Sequence, residues 1–353
     1  MTIDERLITA GVMNNTLKQE VYPQIKVRSP PKLGKVRTVY DVSYDRLLMI
    51  SSDNLSTHDV VHRRQVFAKG ENLDAISSYF FNRTQHIIPN HYIETIAPNT
   101  WFTEKADKIL IEMVFRKYIT GSGWKEYERE DGQEKGREFC GVFLRPGYRK
   151  NEKLDNVIFT PTAKGQVKDF KISEFKGLNP EEDDPKLTLD IIRRNYQAFN
   201  LKDPNDIDIL MNIGLCLYDD INSDLDPKNE LLADTKWEFG YTLDGRILLI
   251  DECVTPDSSR IWNKEQYKFD EEKNEFTVVQ DDKQHFRDHI EFLKLDKDKK
   301  ALAEYWMPDD VMKKGIAKYC NIRKIITGTS PKITTYPKKE IILNALNDKG
   351  FLR

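Results

Sequence analysis

The segment from Asp234 to Glu252 carries the residues best spaced for chemistry. Within it, Asp244-Gly245 is a two-residue hairpin signal, because a type I′ turn needs positive φ at both central positions. With that turn, Leu243 pairs with Arg246, and Glu238 falls directly across from Asp251 on one face of the ladder. Lys236 stands two residues before Glu238 and shares its face. Two opposed carboxylates repel unless a cation sits between them or one is protonated. Oxygen ligands without a neighbouring His or Cys suit a hard ion such as magnesium, shared with nucleotide phosphates. The apolar run Ile247 to Ile250 stops at Asp251, which puts this acid at a strand end. Spacing alone fits a solvent-facing hairpin with chance alternation of charge equally well, and a slip of one residue would undo the pairing.

Three further groups suit anions. In Thr255-Pro-Asp-Ser-Ser-Arg260, Pro256 stiffens a polar turn, and Arg260 offers a fork for phosphate or carboxylate. Gly34-Lys35-Val36-Arg37 precedes a strand and lacks the frame of a P-loop. A glycine ahead of a β-hairpin can instead lay backbone amides over a nucleotide, with Lys35 and Arg37 on one strand face. Ser122 is suited to cap a helix starting near Trp124, whose first amides can hold a phosphate beside Arg116. Taken singly, the last two also read as an ordinary turn and a plain capped helix.

The elements that must position these groups follow from periodicity. Val36 to Tyr40 and Arg46 to Ser51 read as strands, Asn72 to Phe81 as a helix, and Lys108 to Ile119 as a longer strand. Gly132 to Gly136 and Gly147 to Lys153 read as polar, mobile loops. Leu189, Ile192, Tyr196 and Phe199 keep helical spacing, as do Leu210, Ile213, Leu217 and Ile221 after Pro204. A hairpin is expected over 233–254. Pro308 opens a helix with the stripe Met312, Ile316, Tyr319 and Ile326, and Gly328 closes it; a last helix is expected from Lys338 to Leu346. These apolar stripes are read as core.

Composition narrows the class. Of 353 residues, 32% are charged and 39% hydrophobic, which excludes a disordered chain. A formal net charge of -3 provides no global basic field, so neither nucleic acid nor an anionic membrane is an expected partner. No apolar run approaches the ~20 residues of a membrane helix. Met1 to Arg6 holds acids and no apolar stretch, so no secretory signal is expected, and the expected compartment is the cytoplasm. Cys140, Cys216, Cys253 and Cys320 are scattered, as reduced thiols would be.

Together these segments resemble the SAICAR synthetase family, in its longer bacterial form. The resemblance rests on Gly34 to Arg37, Arg116 with Tyr118 to Trp124, Phe159 to Lys164, Asp234 to Gly240, and Asp251 to Trp262, with support from Arg137 to Gly141 and Ile325 to Gly328. It implies an α+β, kinase-like or ATP-grasp-like, two-lobed architecture with antiparallel sheets, an ATP cleft between the lobes and C-terminal helices. Three regions are expected: a β-rich lobe with the glycine-rich loop over 1–107, a central α+β lobe for substrate and metal over 108–268, and helices packing on it over 269–353.

The implied reaction joins L-aspartate to carboxyaminoimidazole ribotide, with ATP cleaved to ADP and phosphate. ATP and Mg2+ are the implied cofactors, and a homo-oligomer is compatible with the chain. By position, the resemblance gives Gly34, Lys35, Val36 and Arg37 to the ATP phosphates, with Lys236. It gives Ala106 to Lys108 to the adenine hinge and Glu112 to the ribose. Glu238 and Asp251 go to the metal. Ser56, Asp59, Arg116, Ser122, Lys164, Asp257, Ser258 and Arg260 go to the substrates, with Lys236, Asp59 and Lys164 as catalytic candidates.

The chain departs from the family pattern at Asn54, at His58, read as a packed ring, and at Ala163. A small-molecule kinase and a non-catalytic nucleotide binder are the competing readings.

Overall fold

The computed structural model describes residues 15–353 apart from 59, 282, 333 and 335. Two antiparallel sheets frame the molecule. The first contains β1 (Lys32–Leu33), β2 (Arg37–Asp41), β3 (Arg46–Ser51), β4 (Tyr92–Ala97) and β5 (Thr100–Glu104), in the order β1-β2-β3-β5-β4. Its period-2 alternation separates two faces. Thr38 pairs with Ile50 and Tyr40 with Leu48, so Tyr40, Leu48 and Ile50 share one face and pack against Leu17, Tyr22, Ile342 and Leu346. On the opposite face lie Arg37, Val39, Met49 and Trp101, turned toward the rest of the molecule.

The second sheet contains β6 (Asp107–Lys108), β7 (Ile111–Tyr118), β8 (Lys153–Phe159), β9 (Thr162–Ala163), β10 (Glu230–Tyr241), β11 (Ile247–Ile250) and β12 (Ser259–Asn263). β10 is its spine and pairs with β6, β7, β11 and β12. The two faces of β10 differ in chemistry. Trp237 and Phe239 enter the main core with Met113, Phe115 and Leu249, whereas Asp234, Lys236 and Glu238 point the other way. Helix α1 (Lys69–Thr84) supplies Ile76, Phe80 and Phe81 to that core, and α3 (Asp206–Leu225) supplies Leu210, Leu217 and Ile221. Each such side chain, once buried, contributes roughly 1.5–3 kcal/mol.

A short helix, α2 (Gly121–Arg129), follows β7. The C-terminal helices were expected on the central region. α4 (Asp309–Thr327) packs along α1 and also sends Ile322 and Ile326 into the main core, while α5 (Lys338–Asp348) sits on β4 of the first sheet. Lys338 explains the second placement, because its ammonium reaches buried Asp53 at 3.0 Å. Pro308 and Gly328 bound α4 as expected, with Gly328 at φ 71°. The glycine-rich stretch 132–136, read as a loop, contains a four-residue helix at Gly132–Lys135.

The hairpin forms, but its register differs by one residue from the expected one. Tyr241 pairs with Ile247 and Glu238 with Ile250. The loop has three residues, Leu243, Asp244 and Gly245, with Gly245 at φ 90°. Thr242 explains the choice: its amide donates to the Arg246 carbonyl at 2.9 Å, its hydroxyl accepts from the Arg246 amide at 3.0 Å, and the same hydroxyl bonds Asp244. Asp-Gly suits this three-residue bulged turn as well as the tighter one.

Candidate active site

Arg37 opens the site. The glycine turn before it is closed by a bond from the Gly34 amide to the Arg37 carbonyl at 2.9 Å, and Gln19 spans the same two carbonyls. Lys35 lies exposed on this turn, and the Val36 carbonyl accepts the Ser52 amide. The Arg37 guanidinium faces three carboxylates: Asp251 at 2.8 Å, Glu252 at 3.1 Å and Asp74 at 3.7 Å. Burial opposes its charge, but Asp251, Glu252 and Asp74 raise its pKa above the usual value. Burial pushes Asp74 up to about 7, against the pull of Arg37 and Ser51.

A one-residue register shift should have turned Asp251 to the other face of the ladder. Asp251, however, lies just beyond β11 with φ 64°, outside the ladder, and it shares the charges of Lys108 and Lys164 with Glu238. That left-handed residue, a conformation Asp tolerates, redirects the side chain. Burial disfavours its ionisation, yet Arg37, Lys108, Lys164 and Lys236 together hold its pKa below the ordinary carboxylate value. The same lysines serve Glu238, which accepts Lys108 at 2.9 Å and Lys164 at 3.1 Å.

Glu112 lies beside this pair. It accepts Lys164 at 2.5 Å and Lys236 at 2.6 Å, one lysine expected at the substrate and one at the ATP phosphates. Burial raises its pKa, but Lys236 and Lys164 more than offset that and leave it lowered. Lys164 is half-buried between Glu238 and Glu112; burial opposes its charge, but the two carboxylates raise its pKa well above the ordinary range. Arg37, Lys108, Lys164 and Lys236 thus face Glu112, Glu238, Asp251 and Glu252 along the seam between the sheets. Among the described residues, no cluster of three or more His, Cys, Asp or Glu forms a self-contained cage. The oxygen donors of Glu238 and Asp251 fit a hard divalent cation that takes its remaining ligands from a phosphate.

A cavity of about 400 Å³ opens where Ala106 and Asp107 meet Asp41, Tyr44, Lys105 and Tyr241. Asp41 is four residues along β2 from Arg37 and on the same face, so the cavity continues the seam away from the charged cluster.

A second group gathers around Asp234. Its carboxylate accepts Arg116 at 2.9 Å and Arg260 at 2.5 Å. Burial and the charge of Arg260 lower the pKa of Arg116, and Asp234 counters them. Ser122 was expected to cap α2, but the N-cap residue is Thr120, whose hydroxyl is taken by Asn151 at 2.8 Å. Ser122 sits in the first turn, 3.5 Å from Arg116. Gly121 has φ 56°, and a Cβ there would lie 2.2 Å from Arg260 Nη2. Gly121→Ala is therefore expected to cost about 1–3 kcal/mol and to displace Arg260. Chemical denaturation checks the first, and weaker protection of the protein by inorganic phosphate checks the second.

Asp59 lies outside the described residues. Ser56 is half-buried in a short strand, Ser56–Thr57. His58, at φ 49°, keeps its ring 23% exposed and turns Nε2 to Glu291 at 3.3 Å. Asn54 Nδ2 reaches the Lys35 carbonyl and Gln19 at 3.5 Å each. Asp257 has both carboxylate oxygens taken by protein partners, Lys69 and Tyr319. Sequence reasoning gave no role to Asp234, Glu252 or Asp74. Period-2 spacing from Lys236 and Glu238 was enough to place Asp234 on their face, whereas nothing local links Asp74 to Arg37.

An α+β fold with a cavity of about 400 Å³, a charge-matched seam and two arginines on one carboxylate fits an enzyme of small molecules. The chain belongs to the SAICAR synthetase family, whose model matches residues 32–303. The phosphoribosylaminoimidazole-succinocarboxamide synthase of Saccharophagus degradans is 33% identical over 352 aligned residues, covering 90% of this chain and 93% of that protein. Its counterpart in Vibrio cholerae is 32% identical, covering 93% and 95%. Among solved structures, a SAICAR-synthase from Saccharomyces cerevisiae, complexed with SAICAR, aligns with a TM-score of 0.70 at 26% identity, over 89% of this chain and 99% of that one.

Proposed function

We propose that this protein ligates L-aspartate to carboxyaminoimidazole ribotide, giving SAICAR, ADP and phosphate, as an ATP-dependent enzyme of purine biosynthesis. The observation that carries this reading is the seam of four cations and four carboxylates. In the resting protein the two sets neutralise one another. Arg37, Lys108, Lys164 and Lys236 would hold the phosphates of a bound nucleotide, and Glu238 and Asp251 would hold magnesium. A cation at Glu238 and Asp251 would offset the charge that those two carboxylates lose with their lysines, which lowers the cost of admitting a highly charged substrate.

The base fits the cavity at Ala106 and Asp107, with the two sheets as the lobes of the cleft. Arg116, Arg260 and Ser122 bind the ribotide phosphate, which takes the place of Asp234 as partner of the two arginines. A carboxylate is a poor electrophile because its leaving group would be oxide. Phosphoryl transfer to the ribotide carboxylate makes an acyl phosphate, and the aspartate amine then displaces phosphate. Lys164 and Lys236 neutralise the transferring group, and that electrostatic service is the larger part of such catalysis. Magnesium supplies additional charge neutralisation on the phosphate oxygens. Asp59 is the candidate to accept the amine proton.

Product analysis tests the reading. With ATP, magnesium, the ribotide and aspartate, phosphate release must depend on aspartate and match succinocarboxamide formed one to one. ADP released without aspartate, together with a stable phosphorylated product, would reject ligation in favour of a small-molecule kinase. A related SAICAR synthetase solved in complex with ADP, at 22% identity and a TM-score of 0.58, shares the fold.

A further inference from the structure

Lys69, the first residue of α1, is fully buried. Its ammonium meets Asp257 Oδ2 at 2.7 Å. The other oxygen of Asp257 accepts the Tyr319 hydroxyl at 2.7 Å, and its backbone carbonyl accepts Lys283 Nζ at 2.8 Å. The Lys69 ammonium also stands 5.6 Å from the centre of the Tyr319 ring. Two helices distant in sequence, α1 and α4, thereby grip one residue of the segment that joins β11 to β12.

That segment links the two halves of the site. Thr255 donates to Glu252 Oε2 at 2.6 Å, and its hydroxyl accepts the amides of Asp257 and Ser258 at 3.2 Å each. Glu252 in turn holds Arg37. Downstream, Ser259 bonds Thr235 at 2.7 Å and Arg260 pairs with Asp234. Asp257 is thus an anchored point between the nucleotide end and the paired arginines. Burial works against its ionisation, but Lys69 and Lys283 keep its pKa far below the ordinary carboxylate value.

We propose that Lys69 and Tyr319 are positioning residues for the ribotide: they hold and neutralise Asp257, so that Ser258 and Arg260 keep a fixed place and no competing carboxylate faces the incoming phosphate. This rests on the function proposed above, and it moves Asp257 from substrate contact to anchor. Asp257 stands three residues from Arg260. Were it released, it would compete for that guanidinium and repel an anionic ligand. A buried, fully paired charge network fixes direction as well as contact, which apolar packing does not.

Steady-state kinetics on the full chain test it, with ribotide and ATP varied separately and the melting temperature measured alongside. Tyr319→Phe keeps the ring and removes one hydrogen bond to a charged acceptor. It should raise KM for the ribotide about tenfold, with KM for ATP within about twofold. Lys69→Met leaves Asp257 uncompensated and should raise the ribotide KM further, and adding Asp257→Asn should recover part of that loss. A purely structural clamp would show neither the split between substrates nor the recovery. Unchanged constants with a lowered melting temperature in Tyr319→Phe overturn the proposal, as does a parallel rise in both KM values. Wild type, run in parallel, separates the two claims: absence of aspartate-dependent product rejects the proposed function, whereas normal wild-type turnover with unchanged Tyr319→Phe constants rejects the clamp alone. Should Lys69→Met fail to fold, Tyr319→Phe decides the outcome.

Discussion

Asp251→Asn is expected to lower kcat by ~10³-fold while leaving the protein folded. Stability should survive for three reasons. Asn tolerates the left-handed backbone at φ 64° as well as Asp does. The side chain is isosteric and 39% exposed, so no cavity opens. Arg37 keeps Glu252 at 3.1 Å and Asp74 at 3.7 Å, so its charge is not stranded. The net cost of the lost contact is then about 1 kcal/mol. Turnover is another matter, because the amide cannot offer a divalent ion the negative charge that a phosphoryl group in transit requires. Glu238→Gln would be a less clean probe. Glu238 is 4% exposed and holds both Lys108 and Lys164, so its loss would disturb folding as well as chemistry. Steady-state kcat and a melting curve on the same preparation check the expectation. Turnover of Asp251→Asn within twofold of wild type would remove Asp251 from the metal.

How this site came together from a sequence shows which physical signals are local. β2, β3 and the long strand β7 were legible because runs of β-prone residues are written into consecutive positions. α4 was legible at both ends, since Pro308 and Gly328 are backbone signals. The hairpin was legible, but its register was not: the choice between loops fell to the hydroxyl of Thr242, a side-chain bond that no turn dipeptide encodes. The expected pairing of Glu238 with Asp251 rested on a register that does not occur, and the positive φ at Asp251 is a feature that spacing cannot reveal. Pairings across the chain were invisible for a plainer reason. Lys69 with Asp257 and Lys338 with Asp53 each join residues more than 180 positions apart. In sequence, each lysine reads as a solvated helix residue. Asp257 came from the resemblance as a substrate contact, and its partners Lys69 and Tyr319 are visible only in the fold.

Asp234→Asn should have the largest effect on stability, about 3 kcal/mol. The carboxylate is 4% exposed and is the meeting point of two guanidinium groups, Arg116 at 2.9 Å and Arg260 at 2.5 Å. Arg116 is otherwise held through Nε by Thr160 at 3.0 Å, which satisfies a donor but neutralises nothing. With the charge at 234 gone, two like charges face each other in a poorly solvated site. Only Arg260, a quarter exposed, can relieve this by turning to water. The variant should therefore gain more than wild type from an added anion. Where a dianion takes the place of Asp234 between the arginines, binding to the native state raises the melting temperature by linkage, and the increment grows with affinity. Millimolar inorganic phosphate should thus raise the melting temperature of Asp234→Asn well beyond its effect on wild type, whereas chloride at equal ionic strength should not. Equal phosphate shifts in the two proteins would mean that Arg116 and Arg260 are bound to Asp234 for structure alone, and the phosphate of the ribotide would have to be sought elsewhere.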